Sequence, residues 1–178
     1  REKGLQNLGK TDSNGSSDTF NSNHAFKPGF AFESGIRPLI DLSITGILCY
    51  QGESNAQELD RVFEYGELTK LLINDYRKIW RQPTLPFYFT QLSSIDTLKY
   101  KGNLWPEFRN EQRRIVQSIP YTGMAVTSDI GFRNDVHPTN KKVVGERLAL
   151  LALSKTYFQN IAHSGPEPVA AYFTNNKI

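Results

Sequence analysis

The chain has one cysteine, one methionine, two tryptophans and three histidines among its 178 residues. A single cysteine allows no internal disulfide, and Cys49, set within Ile47-Leu48-Cys49-Tyr50, reads as a core thiol. No run approaches the roughly 18 apolar residues that span a bilayer, so no membrane partner is expected. No basic segment followed by an apolar one opens the sequence, which excludes a legible signal peptide. The first residues are Arg1-Glu2-Lys3 rather than methionine, and the expectation is a processed product or a fragment with sequence upstream. Lys and Arg are scattered. The formal charge is +3, and no basic stripe alternates with aromatics, so a pI of about 9.0 does not make a nucleic-acid partner expected. No internal repeat is visible.

What is present is one domain's worth of chain, enough to bury roughly two-thirds of the surface it exposes when unfolded. Residues 1–34 are rich in Gly, Ser, Asn and Asp, with Thr11-Asp12-Ser13-Asn14-Gly15-Ser16-Ser17-Asp18 as the extreme. They read as a polar loop or linker arm. Residues 35–162 read as the folded domain, and 163–178 as a tail.

Within the domain, Ile44 to Tyr50 is short, mostly apolar and rich in β-formers, which predicts a buried strand. Asn55 followed by Glu58 has the spacing of a capping box, opening a helix that runs to about Trp80. Val62, Tyr65, Leu68, Leu72, Tyr76 and Ile79 are its expected inner stripe. Phe87 to Leu92 predicts a second strand. Pro106 suits the first turn of a second helix, with Phe108, Gln112, Ile115, Val116 and Ile119 inward. Met124 to Thr127 predicts a third strand, and Thr139 to about Phe158 a last helix with Val144, Leu148, Leu151 and Ala152 facing the core. Alternating strands and helices imply an α/β fold: a parallel sheet with right-handed crossovers and helices on both faces.

Ligands bind such a sheet beyond the carboxyl ends of its strands. Two loops there carry reactive groups. In Asp135-Val136-His137-Pro138, residues i and i+2 of an extended backbone point to one side, and Pro138 favours that extended state at His137. An Asp beside a His can accept its Nδ1–H, fix the tautomer and leave the other nitrogen as a general base. The competing reading is a surface loop that closes onto a helix N-terminus, with Asp135 favourable near the dipole. Asp129, Asp135 and His137 include good metal ligands, but no second His lies nearby and no metal is expected.

In the other loop, Gln51 can present its amide NH₂ to an oxyanion, and Gly52 permits close approach of substrate or backbone. Glu53 either orients a site group or satisfies free N–H groups at a helix start. His24 and His163 lie in flanking polar segments and read as non-functional; Trp80 and Trp105 read as core or rim residues.

The segment Gly46-Ile47-Leu48-Cys49-Tyr50-Gln51-Gly52-Glu53-Ser54-Asn55-Ala56 resembles the Trp-Tyr-Gln-Gly-Glu-Ser-Asn-Ala segment of the sialate O-acetylesterase family, a branch of the SGNH hydrolases. The similarity continues through Leu72-Ile73-Asn74-Asp75-Tyr76-Arg77, Trp80, Leu85-Pro86-Phe87, Gln91-Leu92, Arg109 and Gln112. It extends over Thr122-Gly123-Met124-Ala125-Val126, Asp129-Ile130-Gly131, Asp135 to Lys141, Val144-Gly145 and Arg147-Leu148-Ala149, covering about 35–157 in order. Cys49 stands where the family often has Trp, and Phe108 where Leu is common.

The resemblance implies a three-layer α/β/α SGNH-hydrolase (flavodoxin-like) fold, incomplete at its N-terminal side. It implies removal of acetyl groups from sugar hydroxyls, with Asp135 and His137 as acid and base and Gln51 at the oxyanion. An O-acetylated carbohydrate is the implied partner, no cofactor is implied, and a secreted or periplasmic location is expected. The family's Gly-Gln-Ser-Asn nucleophile segment has no counterpart here. Asp12-Ser13-Asn14 superficially resembles it, but no apolar strand precedes Ser13, which is therefore rejected as nucleophile. The serine is expected upstream, in the same protein or on a companion chain. A second reading is a catalytically incomplete remnant acting as a glycan-binding or interaction module.

Overall fold

The computed structural model describes residues 29–96, 102–133, 135–167, 169–170 and 172. Ser13, His24 and most of the polar arm lie outside them. The chain divides into two units, residues 1–43 and 44–178. Within the first, Phe32–Ile36 is a wide helical turn that passes into a 3-10 turn, Arg37–Leu39. Pro38 suits that turn, and an i,i+4 pair joins Arg37 to Glu33.

The second unit holds a three-stranded parallel sheet, β1 (Ile47–Cys49), β2 (Phe87–Thr90) and β3 (Thr122–Ala125), in the spatial order β1-β2-β3. Cys49 pairs with Phe89, which pairs with Met124. Helices α1 (Leu59–Ile79) and α2 (Trp105–Ser118) cover one face. Ile47, Cys49, Phe87, Phe89 and Met124 point into that layer against Val62, Tyr65, Ile73, Phe108 and Ile115. Helix α3 (Lys141–Lys155) covers the other face, where Tyr88 and Ala125 meet Val144, Leu148 and Leu151. β2 is buried at all four positions because it is sandwiched on both faces. The three-layer α/β/α order is the one the sequence implies.

Four expectations need correction. β1 is only three residues long and is not buried. Among the described residues it pairs with β2 alone, and Leu48, pointing to the α3 side, is 60% exposed. The capping box does not form. Asn55 lies inside a 3-10 turn, Glu53–Gln57, and Glu58 then adopts extended angles (φ −130°, ψ 137°), so α1 starts at Leu59 without a side-chain cap. The buried stripe of α1 is Val62, Tyr65, Thr69, Ile73 and Arg77, while Leu68 and Leu72 face solvent. Arg77 belongs inside because its guanidinium donates to the carbonyls of Leu85 (3.1 Å) and Pro120 (2.7 Å), on the segments that feed β2 and β3. β3 ends two residues early: Thr127 leaves the ladder and its buried hydroxyl donates to the Gln91 carbonyl. On α2, Trp105, Phe108, Gln112 and Ile115 are buried as expected, and Asn140 caps α3 by accepting from Val143 N (3.4 Å).

Candidate active site

Parallel pairing brings the carboxyl ends of all three strands to one edge, and both reactive loops leave from it. After β1 the chain runs through Tyr50 and Gln51 to Gly52, whose φ of 136° few residues other than glycine adopt. A Cβ there would lie 2.9 Å from Cε1 and Cζ of Phe108, a ring with no exposure. Gln51 is exposed, yet its Nε2 donates to Tyr65 Oη at 2.9 Å. Tyr65 is buried on α1, its ring 4.4 Å from that of Phe108. Burial, and then the nearby Cys49, push its phenol up to about 12, so it is a neutral hydroxyl at any physiological pH. Glu53, half-buried, opens the 3-10 turn between β1 and α1. Burial and then the Glu53 carboxylate push the Cys49 thiol up.

After β3, the loop to Asn140 carries the other pair. Asp135 Oδ1 accepts two hydrogen bonds from His137, from the backbone N–H at 2.8 Å and from the ring Nδ1 at 3.0 Å. The backbone N–H, and then the ring, hold the Asp135 carboxyl below the usual carboxylate range. With Nδ1–H given to Asp135, the imidazole has Nε2 left as its basic nitrogen. Both side chains are exposed, and they sit in contact as the i, i+2 spacing implies.

The loop is braced along its length. Arg147 of α3 donates to the Val126 carbonyl (2.6 Å) and grips both oxygens of Asp129 at 2.6 Å, a bidentate geometry that lowers the Asp129 carboxyl to about 2. Asp129 is thereby committed to Arg147. Among the described residues no group of three His, Cys, Asp or Glu side chains is placed to hold a metal ion. Gly131 lies so close to the β2 loop that a Cβ would come 1.9 Å from the Ser94 carbonyl oxygen, so only glycine fits. Beyond it, Asp96 N donates to the Arg133 carbonyl (3.1 Å), and the two side chains pair at 3.0 Å. A shallow depression of about 280 Å³, lined by Ser94, Ile95, Asp96, Gly131, Phe132 and Arg133, adjoins Asp135.

The first residue of α3 reaches the loop after β1: Lys141 Nζ donates to Tyr50 Oη at 2.8 Å and lies 4.2 Å from the centre of that ring. The roles of Tyr65, Arg147 and Lys141 were not legible in the sequence as site contacts. Gln112 carried a signal, being an amide on an otherwise apolar helix face.

A parallel sheet between two helical layers, with its loops gathered at the strand carboxyl ends, defines an α/β protein of the SGNH-hydrolase type. The chain belongs to the carbohydrate esterase family of sialic acid-specific acetylesterases, whose family model matches residues 31–154. It is similar to the sialate O-acetylesterases of Mus musculus (32% identical over 150 residues, 75% of this chain and 27% of that protein) and Homo sapiens (30%, 75% and 28%). Among solved structures it is similar to a carbohydrate acetylesterase from Xanthomonas citri, with a TM-score of 0.68 and 36% identity over 74% of this chain and 30% of that one. The chain thus spans less than a third of the length of these relatives.

Proposed function

We propose that this chain carries the acid–base and oxyanion parts of a carbohydrate O-acetylesterase acting on acetyl esters of sugar hydroxyls. The serine nucleophile lies outside residues 1–178, on the upstream half of the same protein or on a companion chain. The serine Oγ attacks the acetyl carbonyl carbon while His137 Nε2 takes its proton and Asp135 stabilises the imidazolium. The side-chain N–H of Gln51 and backbone N–H groups receive the oxyanion, and Gly52 lets the turn behind them pack directly on Phe108. Collapse breaks the acetyl–sugar bond, and the departing sugar oxygen recovers the proton from His137. Water, deprotonated by His137, then splits the acetyl-serine into acetate and free serine. Glu53 holds the turn that follows the oxyanion donor.

The observation that carries this reading is the double hydrogen bond from His137 to Asp135 Oδ1, made at the same sheet edge as Gln51. The test is acetate release from O-acetylated sialic acid and from acetylated xylo-oligosaccharides, with this chain alone and with the upstream region restored. Activity is expected with the upstream region, and His137→Ala should abolish it. Turnover that survives His137→Ala sinks the acid–base assignment. Turnover by the isolated chain that Ser13→Ala removes sinks the external serine.

A further inference from the structure

The Gln51 carboxamide poses a physical problem. It is exposed and has three rotatable bonds, so holding it in one orientation costs rotamer freedom. A donor that must meet a developing charge works best when that cost has been met before substrate arrives. The structure supplies a fixed partner. Tyr65 Oη, reached by Gln51 Nε2 at 2.9 Å, belongs to a ring locked between α1 and Phe108.

The hydroxyl is itself held. Thr69 and Gln112 are its polar neighbours and act against the rise of its pKa. Gln112 has no exposure, and its amide is oriented by backbone on both sides: Oε1 accepts from Leu92 N (2.9 Å) and Nε2 donates to the Thr90 carbonyl (3.0 Å). Polar groups from the end of β2, from α2 and from α1 thus gather beneath the loop after β1.

We propose that Tyr65 is a positioning residue for Gln51. Its hydroxyl takes one Nε2–H, which fixes the amide and leaves the second Nε2–H as the donor for an acyl oxyanion. The catalytic half of this inference rests on the oxyanion role of Gln51 proposed above; the positional half stands on the hydrogen bonds alone.

The two halves are tested separately. In the isotopically labelled chain, the Gln51 side-chain amide should give two dispersed proton signals with slowed solvent exchange. Tyr65→Phe keeps the buried ring and removes only the hydroxyl. It should bring those signals to free-amide positions and speed exchange about tenfold, the worth of one net hydrogen bond. Backbone amide shifts across the sheet should not move. An amide already free in the parent chain, or unchanged in Tyr65→Phe, overturns the positioning role.

In the catalytically competent protein with its upstream region, Gln51→Ala should lower kcat by about 10²–10³-fold. Tyr65→Phe should lower kcat about 10–10²-fold with KM unchanged. Combined with Gln51→Ala, it should cause no further loss, because its effect acts through that amide. Multiplying losses overturn the inference. A Gln51→Ala enzyme of full activity removes the oxyanion reading, and the amide spectra then decide the positioning role by themselves.

Discussion

Two glycine-to-alanine substitutions in this chain should change stability in opposite directions. At Gly52 the backbone sits at φ 136°, and holding an L-residue in such a region costs about 1–3 kcal/mol. The new methyl would also lie 2.9 Å from two ring atoms of Phe108. That ring has no exposure and cannot swing away, since Tyr65 packs on it at 4.4 Å. Overpacking of this kind costs a further 1–3 kcal/mol or so. Gly52→Ala should therefore destabilise the fold by about 2–6 kcal/mol. At Gly145, inside α3, a Cβ meets nothing within 4 Å, and alanine relieves the entropy of a helical glycine by about 0.5–1 kcal/mol.

For a chain of this size each kcal/mol shifts Tm by roughly 2–4 °C. The Tm of Gly52→Ala should fall by roughly 4–24 °C and that of Gly145→Ala should rise by a few degrees. Urea unfolding followed by tryptophan fluorescence suits the measurement, because Trp105 is buried and its Nε1 donates to the Ser93 carbonyl near the site. Adding Phe108→Leu separates the two costs at Gly52, since it removes the clash and leaves the backbone strain. A Gly52→Ala chain within about 0.5 kcal/mol of the parent refutes the reasoning.

Three further outcomes are expected. Gln112→Met leaves the buried Leu92 N–H and Thr90 carbonyl without their partner, at about 1–3 kcal/mol each, so an unfolding free energy lowered by less than about 1 kcal/mol contradicts those two bonds. Asp129 titrates at about 2 in the fold against an ordinary 3.8, so its pair with Arg147 stabilises at every pH above about 4 and is lost as pH falls through about 2. Arg147→Gln should flatten the stability curve between those limits, and an unchanged acid limb counts against the pair. Asp135→Asn keeps an acceptor oxygen but removes the carboxylate charge and can turn an N–H toward the His137 ring, favouring the wrong tautomer; in the competent esterase kcat should drop by about 10³–10⁴-fold, and a loss under tenfold speaks against Asp135 as the partner of the base.

The layer order was legible because apolar runs and 3.6-residue periodicity survive in short windows. β2, with Phe87-Tyr88-Phe89, and α2, with Phe108, Gln112 and Ile115 on one side, needed no tertiary information. Helix α1 resisted because its inner face uses polar residues. Thr69 and Ile73 fill positions that hydropathy assigns to Leu68 and Leu72, and Arg77, beside Tyr76, is buried only because two loop carbonyls from other segments receive it. The start of α1 was misread for a local reason: the Asn55–Glu58 spacing fits a cap, but the extended turn at Glu58 moves the helix beyond Asn55. At the candidate site, Asp135 and His137 could be paired from spacing alone because they are two residues apart. Gln51 and Tyr65 are fourteen apart, and only the packing of Phe108 beneath both Gly52 and Tyr65 makes them neighbours.

The strands lie in space in the order in which they occur along the chain. Each new strand can settle against the one synthesised just before it, without displacing an earlier pairing or waiting for a later one. Growth from the ribosome therefore builds this sheet from one side to the other, and α1 and α2 close their face as they emerge. Helix α3 comes last. Until it arrives Tyr88 lies open on the second face and Asp129 lacks the Arg147 guanidinium, so the loop bearing Asp135 and His137 takes its final form only once α3 has docked.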